Sequence, residues 1–335
     1  MRQQGDIGTA GTRDLSLERE ATRFREDVIS GLGTSPKRLS SRYFYDAEGD
    51  RLFQKIMACE DYYVTRAEDE VLREQAPDVL QALSGGRNGL DLVELGAGDG
   101  AKTKHLLRRA LQEGRTLRYR PTDISAHALR GLELALGREM PALAVCGEQG
   151  EYFELIRRGF VERGTPTAVM LLGSNIGNLP HERARVLLKG VADQMAPDDR
   201  FLVGFDRKKD PAMILRAYND REGHTRAFNL NLLHRMNREL GMDFNPERFI
   251  HAPVYDPGSG QAKSFLVSTC QQEVHLPGQG EPFRFRAWEA VQTEMSQKYD
   301  DAMIGALAQD AGLRIAARFT DGRGLFSDVV FARRD

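Results

Sequence analysis

A chain of 335 residues with 41% hydrophobic and 29% charged side chains and a formal net charge of −2 has the make-up of an ordinary globular protein of about two domains. That charge makes no case for nucleic acid or an anionic membrane surface as a partner, and no apolar run approaches the roughly 20 residues of a membrane span. Cys59, Cys146 and Cys270 lie far apart without a C-x-x-C, which points to reduced thiols in the cytoplasm. The seven histidines show no ligand spacing, so no metal is expected.

In chain order, residues 1–14 lack the apolar core of a secretory signal and read as a disordered tail. A short helix is expected over 17–32. Residues 42–64 hold a dense aromatic cluster of Tyr43, Phe44, Tyr45, Phe53, Tyr62 and Tyr63. Thr65 followed by Glu68 is a capping-box pattern, opening a helix with apolar Leu72, Val79, Leu80 and Leu83, ended by Gly85, Gly86 and Gly89. Strands and helices then alternate, the signature of a parallel sheet with crossover helices. The strands fall at 90–95, 116–122, near 142–146, 167–172 and 200–205. After Asp206 the rhythm breaks into helix signals at 211–222 and 228–240 and β-like runs at 263–271 and 282–288. Runs at 313–318 and 325–333 restore the α/β character. The expected architecture is an α/β Rossmann-like sheet, 65–209 plus 297–335, with an inserted α+β domain formed by 15–64 plus 210–296. Ligands bind open sheets beyond the carboxyl ends of the strands, so the second domain is expected to roof a cofactor there.

The stretch DLVELGAGDGAKTKHLL, residues 91–107, runs from an apolar strand through a turn with Gly96, Gly98 and Gly100 into a helical pattern. Such a turn lets backbone approach a nucleotide, and the free N–H groups of the helix start favour its polar parts. The spacing is G-x-G-x-G, with Gly100 one position early for a dinucleotide site, and Glu94 adds an acid at the strand's end. This favours S-adenosylmethionine (SAM) over NAD, which stays the alternative. Asp123, about 20 residues on at the second strand's end, suits ribose hydroxyls or else caps the next helix. Lys102 contacts a cofactor carboxylate or is a solvated helix lysine. In LLGSNIGNLP, residues 171–180, Gly173, Ser174, Asn175, Gly177 and Asn178 form either a substrate-facing strand end or an ordinary turn. TEMS places Glu294 and Ser296 among apolar neighbours near the return to the sheet, where Glu294 is otherwise a surface charge or a cap. Tyr45, Tyr62 and Tyr63 could equally be core aromatics.

RYFYDAEGDRLFQKI, EDYYVTRAE, VELGAGDGAKT, LLGSNIGNL, the run 218–244 and TEMSQKY occur in order from about residue 36 to the C-terminus. Together they resemble the histidine Nα-methyltransferase family, whose best-known member makes trimethylhistidine on the way to ergothioneine. The resemblance implies a class I methyltransferase sheet with a substrate-binding insertion, using SAM to methylate the α-amino group of a free amino acid up to three times. It implies that Gly96, Gly98 and Gly100, with Lys102 and Asp123 and with Glu94 at the strand end, serve the cofactor, and that Tyr45 stands near the methyl-transfer site. Gly147, Glu148 and Gln149 stand where the family has G-D-F/Y; Glu148 would accept from the adenine amine with a longer reach. Tyr62, Asn178 and Tyr218 match residues that hold the substrate's carboxylate and α-amino end, with a backbone contact at Gly173. Tyr45, Asn178 and Tyr218 are thus the catalytic set. Glu294 and Ser296 match the pair that hydrogen-bonds an imidazole. Ser264 stands where the family has a methionine, and a smaller, polar residue widens the side-chain pocket. L-Histidine is the expected substrate, with arginine, tryptophan or tyrosine as alternatives, for a monomer without nucleic-acid or membrane partners. Outside this class, an NAD-type oxidoreductase or a catalytically silent SAM-binding module competes.

Overall fold

The computed structural model describes residues 8–159 and 165–334, with side chains from Glu20 onward. Its strands are β1 Lys37–Arg38, β2 Gly89–Leu95, β3 Thr116–Asp123, β4 Ala144–Val145, β5 Glu148–Gln149, β6 Thr167–Leu171 and β7 Arg200–Asp206. They continue as β8 Phe249–Asp256, β9 Gln261–Ser268, β10 Gln272–Val274, β11 Phe283–Phe285, β12 Ala290–Gln297, β13 Leu313–Thr320 and β14 Phe326–Arg333. The chain divides into two compact units. The smaller comprises Met1–Ile56, Tyr218–Val254 and Lys263–Met295; the larger comprises Met57–Ala217, Tyr255–Ala262 and Ser296–Asp335. Compared with the expected division, 57–64, 210–217, 255–262 and Ser296 go with the larger unit.

The larger unit is built on a sheet of order β13-β14-β7-β6-β2-β3-β4, with β5 also paired to β3. β2, β3, β4, β5, β6 and β7 are parallel, and the β13–β14 hairpin is antiparallel to β7. This is the expected α/β arrangement. The chain moves outward from β2 to β3 and β4, then returns to β6 on the other side of β2. That reversal is a topological switch point, where the strands' carboxyl ends open a crevice.

Alternate residues of the central strands feed two cores, because both faces are covered. Val93, Leu95, Val169, Leu171, Phe201 and Val203 meet the helices Tyr152–Arg158, His181–Ala192 and Asp301–Asp310. Leu90, Leu92, Ala168, Met170 and Leu202 meet Tyr63–Glu74, Ala76–Ser84, Thr103–Gln112 and Ala126–Glu139. At about 25 cal/mol per Å² of apolar surface, such burial dominates the unit's stability.

Two local expectations are corrected here. The capping box Thr65/Glu68 does not open its helix: the helix begins at Tyr63, and Glu68 is fully buried. The single helix expected through Leu83 is two, because Pro77 in the first turn of Ala76–Ser84 interrupts the hydrogen-bond ladder.

In the smaller unit the helix expected over 17–32 runs from Gly8 to Leu32, so part of the stretch read as a tail is helical, while residues 1–7 lie outside the described residues. A four-stranded sheet has the order β1-β12-β9-β8, with Lys37 opposite Val291 in the parallel β1–β12 pair. β8 and β12 carry no strong sequence signal, since half-exposed positions and Pro253 dilute β8's pattern. The aromatic run of 43–53 packs on the helix His224–Leu240: Phe44, Tyr45 and Phe53 each meet Phe228, with centroids 4.6–5.8 Å apart. Among the described residues no helix is long and apolar enough to cross a membrane.

Candidate active site

The glycine turn closes β2 at the switch point. Gly96, Gly98 and Gly100 all have positive φ (73°, 58° and 62°), a region costly for residues with a Cβ. Their surroundings differ. A Cβ on Gly96 would lie 2.5 Å from the Tyr152 hydroxyl, and one on Gly100 would lie 2.6 Å from Leu132 Cδ1. A Cβ on Gly98 meets nothing within 4 Å, so Gly98 leaves its backbone open to a ligand.

Asp123 is bonded to this turn: Gly98 N–H donates to its Oδ2 at 2.9 Å, and Ser125 N–H donates to Oδ1 at 2.8 Å. It does not cap the next helix. Ser125 does, its Oγ accepting from Ala128 N–H. Burial raises the Asp123 carboxyl, opposed by the backbone donors. Ile124 N–H is a further backbone donor to it, and since a carboxylate has about four lone-pair sites, acceptor capacity remains for a ligand hydroxyl.

Glu94, beneath the turn, is buried and accepts from the Tyr119 hydroxyl at 2.5 Å and the Thr103 hydroxyl at 2.9 Å. Burial pushes its carboxyl up to about 7. It pins β2, β3 and the helix start together. Glu148 lies on β5 opposite Thr122, its side chain ion-paired with Arg158 at 3.2 Å.

Lys102 is no solvated lysine. It is ion-paired with Glu68, whose oxygens also accept from Gly173 N–H at 2.7 and 2.9 Å. Burial would lower the Lys102 ammonium, but Glu68 holds it above its ordinary range. Buried Asp328 neighbours this pair; burial and the Glu68 charge push its carboxyl well above the usual range. The end of β6 is thereby tied to the first glycine turn through one carboxylate.

Gly173 and Ser174 then turn with φ of 72° and 56°, and Asn175–Asn178 form a 3₁₀ turn with Asn178 exposed. The left-handed Ser174 is held because its Oγ accepts from Asp206 N–H at 3.2 Å. A Cβ on Gly177 would lie 2.8 Å from the Gln297 carbonyl and 3.3 Å from Ser296 Oγ. The glycine therefore lets the turn that carries Asn178 lie against Ser296.

Ser296 in turn accepts from Lys298 Nζ at 2.9 Å, and Lys298 pairs with Asp206 at 2.7 Å. Asp206 also pairs with Lys209 and accepts from the Tyr63 hydroxyl at 3.0 Å. Tyr62, half-buried, is the residue just before the helix that Tyr63 opens.

In the smaller unit, Tyr45 is half-buried and set edge-on to Phe53 (81°) and Phe228 (69°). Tyr218 is buried, two residues before Asp220, whose carboxylate accepts the His224 and Thr225 N–H groups at 2.7 Å. Ser264 is fully buried on β9, and its hydroxyl donates to Glu294 Oε2 at 3.0 Å. Thr293 Oγ1, bonded to Asn229 Oδ1 and the Ser264 carbonyl, holds the neighbouring strand position. Ser264 thus supplies the Glu294 carboxylate with a buried donor. Glu294 and Ser296, two apart on β12, share a face of the strand.

Sequence reasoning passed over Glu68, Asp206, Lys209, Lys298 and Tyr152. Glu68 looked like a cap and the lysines like surface charges; only the acid ending β7 and the lysine in TEMSQKY, beside named motifs, hinted at more.

A model of the SAM-dependent, histidine-specific methyltransferases matches residues 24–333. The histidine N-alpha-methyltransferase of Mycolicibacterium smegmatis is 35% identical over 317 residues, covering 93% of this chain and 95% of that protein. Its Mycobacterium tuberculosis counterpart is 37% identical over 313 residues, covering 92% and 94%. Ergothioneine biosynthesis protein 1 of Neurospora crassa is 30% identical over 294 residues, covering 86% of this chain and 32% of that protein. The glycine turn at the switch point and a match running from Phe24 almost to the end lead to one assignment: the chain belongs to the family of S-adenosylmethionine-dependent, histidine-specific methyltransferases.

Proposed function

We propose that this enzyme methylates the α-amino nitrogen of L-histidine, up to three times, to give Nα,Nα,Nα-trimethylhistidine. The observation that carries the choice of substrate is the Ser264–Glu294 hydrogen bond. A carboxylate only accepts, and one held in place by a buried hydroxyl selects a side chain that offers an N–H.

When bound, SAM supplies a methyl group on a positively charged sulfur. The open backbone at Gly98 and the remaining acceptor capacity of Asp123 fit such a nucleoside, with Gly96 and Gly100 shaping the turn and Glu148 toward the adenine. Glu94 acts indirectly, by holding the turn. Lys102 faces the cofactor's carboxylate from its pairing with Glu68.

Asn178 and Tyr218, neutral hydrogen-bonding groups, orient the substrate's amine and carboxylate, with Tyr62 on the carboxylate. Because Gly173 N–H is committed to Glu68, its contact with substrate falls to the carbonyl. Tyr45 borders the amine. Glu294 and Ser296 hold the imidazole. The nucleophile is a neutral amine, and no side chain stands out as its base, so its proton leaves to water. Rate acceleration would come chiefly from holding the amine nitrogen in position and from excluding water. The enzyme we propose is a monomer in the cytoplasm without nucleic-acid or membrane partners, and the formal net charge of −2 offers no field for a polyanion.

The test is incubation with SAM and each of the twenty amino acids, following product mass. Histidine should gain one, two and three methyl groups. Unchanged histidine beside a methylated arginine, tryptophan or tyrosine would overturn the substrate.

A further inference from the structure

Lys298 is an unusual residue to bury. Its side chain is 1% exposed, and it sits between two oxygens: Asp206 Oδ2 at 2.7 Å and Ser296 Oγ at 2.9 Å. Burying an ammonium is costly unless it is paired and hydrogen-bonded. Asp206 satisfies that condition. Burial alone would raise its carboxyl, but Lys298 and Lys209 hold it below the carboxylate range, so it is a full negative charge. Lys209 pairs with the same carboxylate and also feels the buried Asp321, so two lysines and two acids share this cluster. What sets Lys298 apart is its contact with Ser296.

A serine hydroxyl has one proton and two lone pairs, whereas an ammonium only donates. At the Lys298 contact, Ser296 must therefore accept, and its proton points elsewhere. We infer that Lys298 is a positioning residue that makes the Ser296 hydroxyl a donor to substrate, so that the enzyme takes histidine with a neutral imidazole. This rests on the histidine reading and on Ser296 meeting the imidazole. A neutral imidazole has one lone-pair nitrogen and one N–H, matching a Ser296 donor and a Glu294 acceptor. An imidazolium has two N–H groups and no acceptor. A guanidinium also has no acceptor, and an indole has only its N–H. Lys298 beside Ser296 thus disfavours an imidazolium or a guanidinium, which would bring a second positive charge against that hydroxyl, and an indole offers no acceptor for its proton.

The experiment is calorimetry of histidine binding to the enzyme loaded with S-adenosylhomocysteine, from about pH 5 to about pH 7, below the range where an α-amino group titrates. The wild-type dissociation constant should rise about 20-fold at the acid end, following an imidazole that titrates near 6.5. In Lys298→Met no cation lies against Ser296 to oppose an imidazolium, and the hydroxyl is free to turn and accept from it, so the rise should shrink to within about threefold. Lys298→Arg keeps a donor-only cation and should keep the pH dependence. A wild-type constant equal at both ends overturns the proposal, and so does a Lys298→Met profile that keeps the full rise. The wild-type profile tests the idea even if neither variant folds. If the loaded enzyme binds no histidine at any pH, the substrate reading itself falls.

Discussion

Ser264 Oγ donates to Glu294 Oε2 at 3.0 Å from a fully buried position on β9. The serine therefore gives the carboxylate one fixed direction. Removing the donor in Ser264→Ala should raise KM for histidine about tenfold, from the ~1.5 kcal/mol of a hydrogen bond to a charged group, with kcat nearly unchanged. Glu294→Gln should lower kcat/KM for histidine about 100-fold, roughly 3 kcal/mol. Steady-state kinetics on both variants checks this; equal losses would mean that Ser264 and Glu294 do not play these separate roles.

Gly98 and Gly100 share a backbone conformation but not their surroundings. Gly98→Ala meets only open space, so it should cost about 1–2 kcal/mol of strain and weaken S-adenosylhomocysteine binding by more than that. Gly100→Ala drives a methyl to within 2.6 Å of Leu132 and should lose mainly stability. Thermal melts paired with calorimetry separate the two outcomes.

Asp123 is bonded to the turn through Gly98, and its proposed ligand is the cofactor's ribose. In Asp123→Asn the amide keeps one acceptor oxygen and loses the charge. S-Adenosylhomocysteine should bind about tenfold to a hundredfold more weakly, for a loss of ~1.5–3 kcal/mol. Unchanged affinity in calorimetry would remove Asp123 from the site.

Glu94 ties stability to pH. Its carboxyl titrates at about 7 when folded, against about 4.3 in an unfolded chain, so the unfolded state ionises first. Its contribution to stability is therefore greatest in acid and declines as pH rises from about 4.3 to 7. Glu94→Gln removes that decline. Between about pH 5 and pH 7.5 the variant should gain roughly 2.5 kcal/mol relative to wild type in urea unfolding. A constant difference across that range would mean the buried carboxyl is not raised.

Lys102 and Glu68 show where reading along the chain runs out. Both lie in patterns with an ordinary local explanation, a helix lysine and the third residue of a capping box. Each became a buried ion pair only because the helix Tyr63–Glu74 packs beside the glycine turn. Asp123 was resolved the same way: as a possible helix cap it was ambiguous until Ser125 took that place.

The alternation of strands and helices, the G-x-G-x-G turn and the family were determined by the sequence alone. They rest on short-range periodicity and on motifs whose residues are close in the chain, so local spacing carries the information. Tertiary structure decided the partners. Glu68 reaches Gly173 across 105 residues, Ser264 reaches Glu294 across 30, and Asp206 meets Lys298 only after the inserted segment has returned. No periodicity encodes such distances. They arise when packing brings separate strand ends together and burial forces every charge there to find a partner.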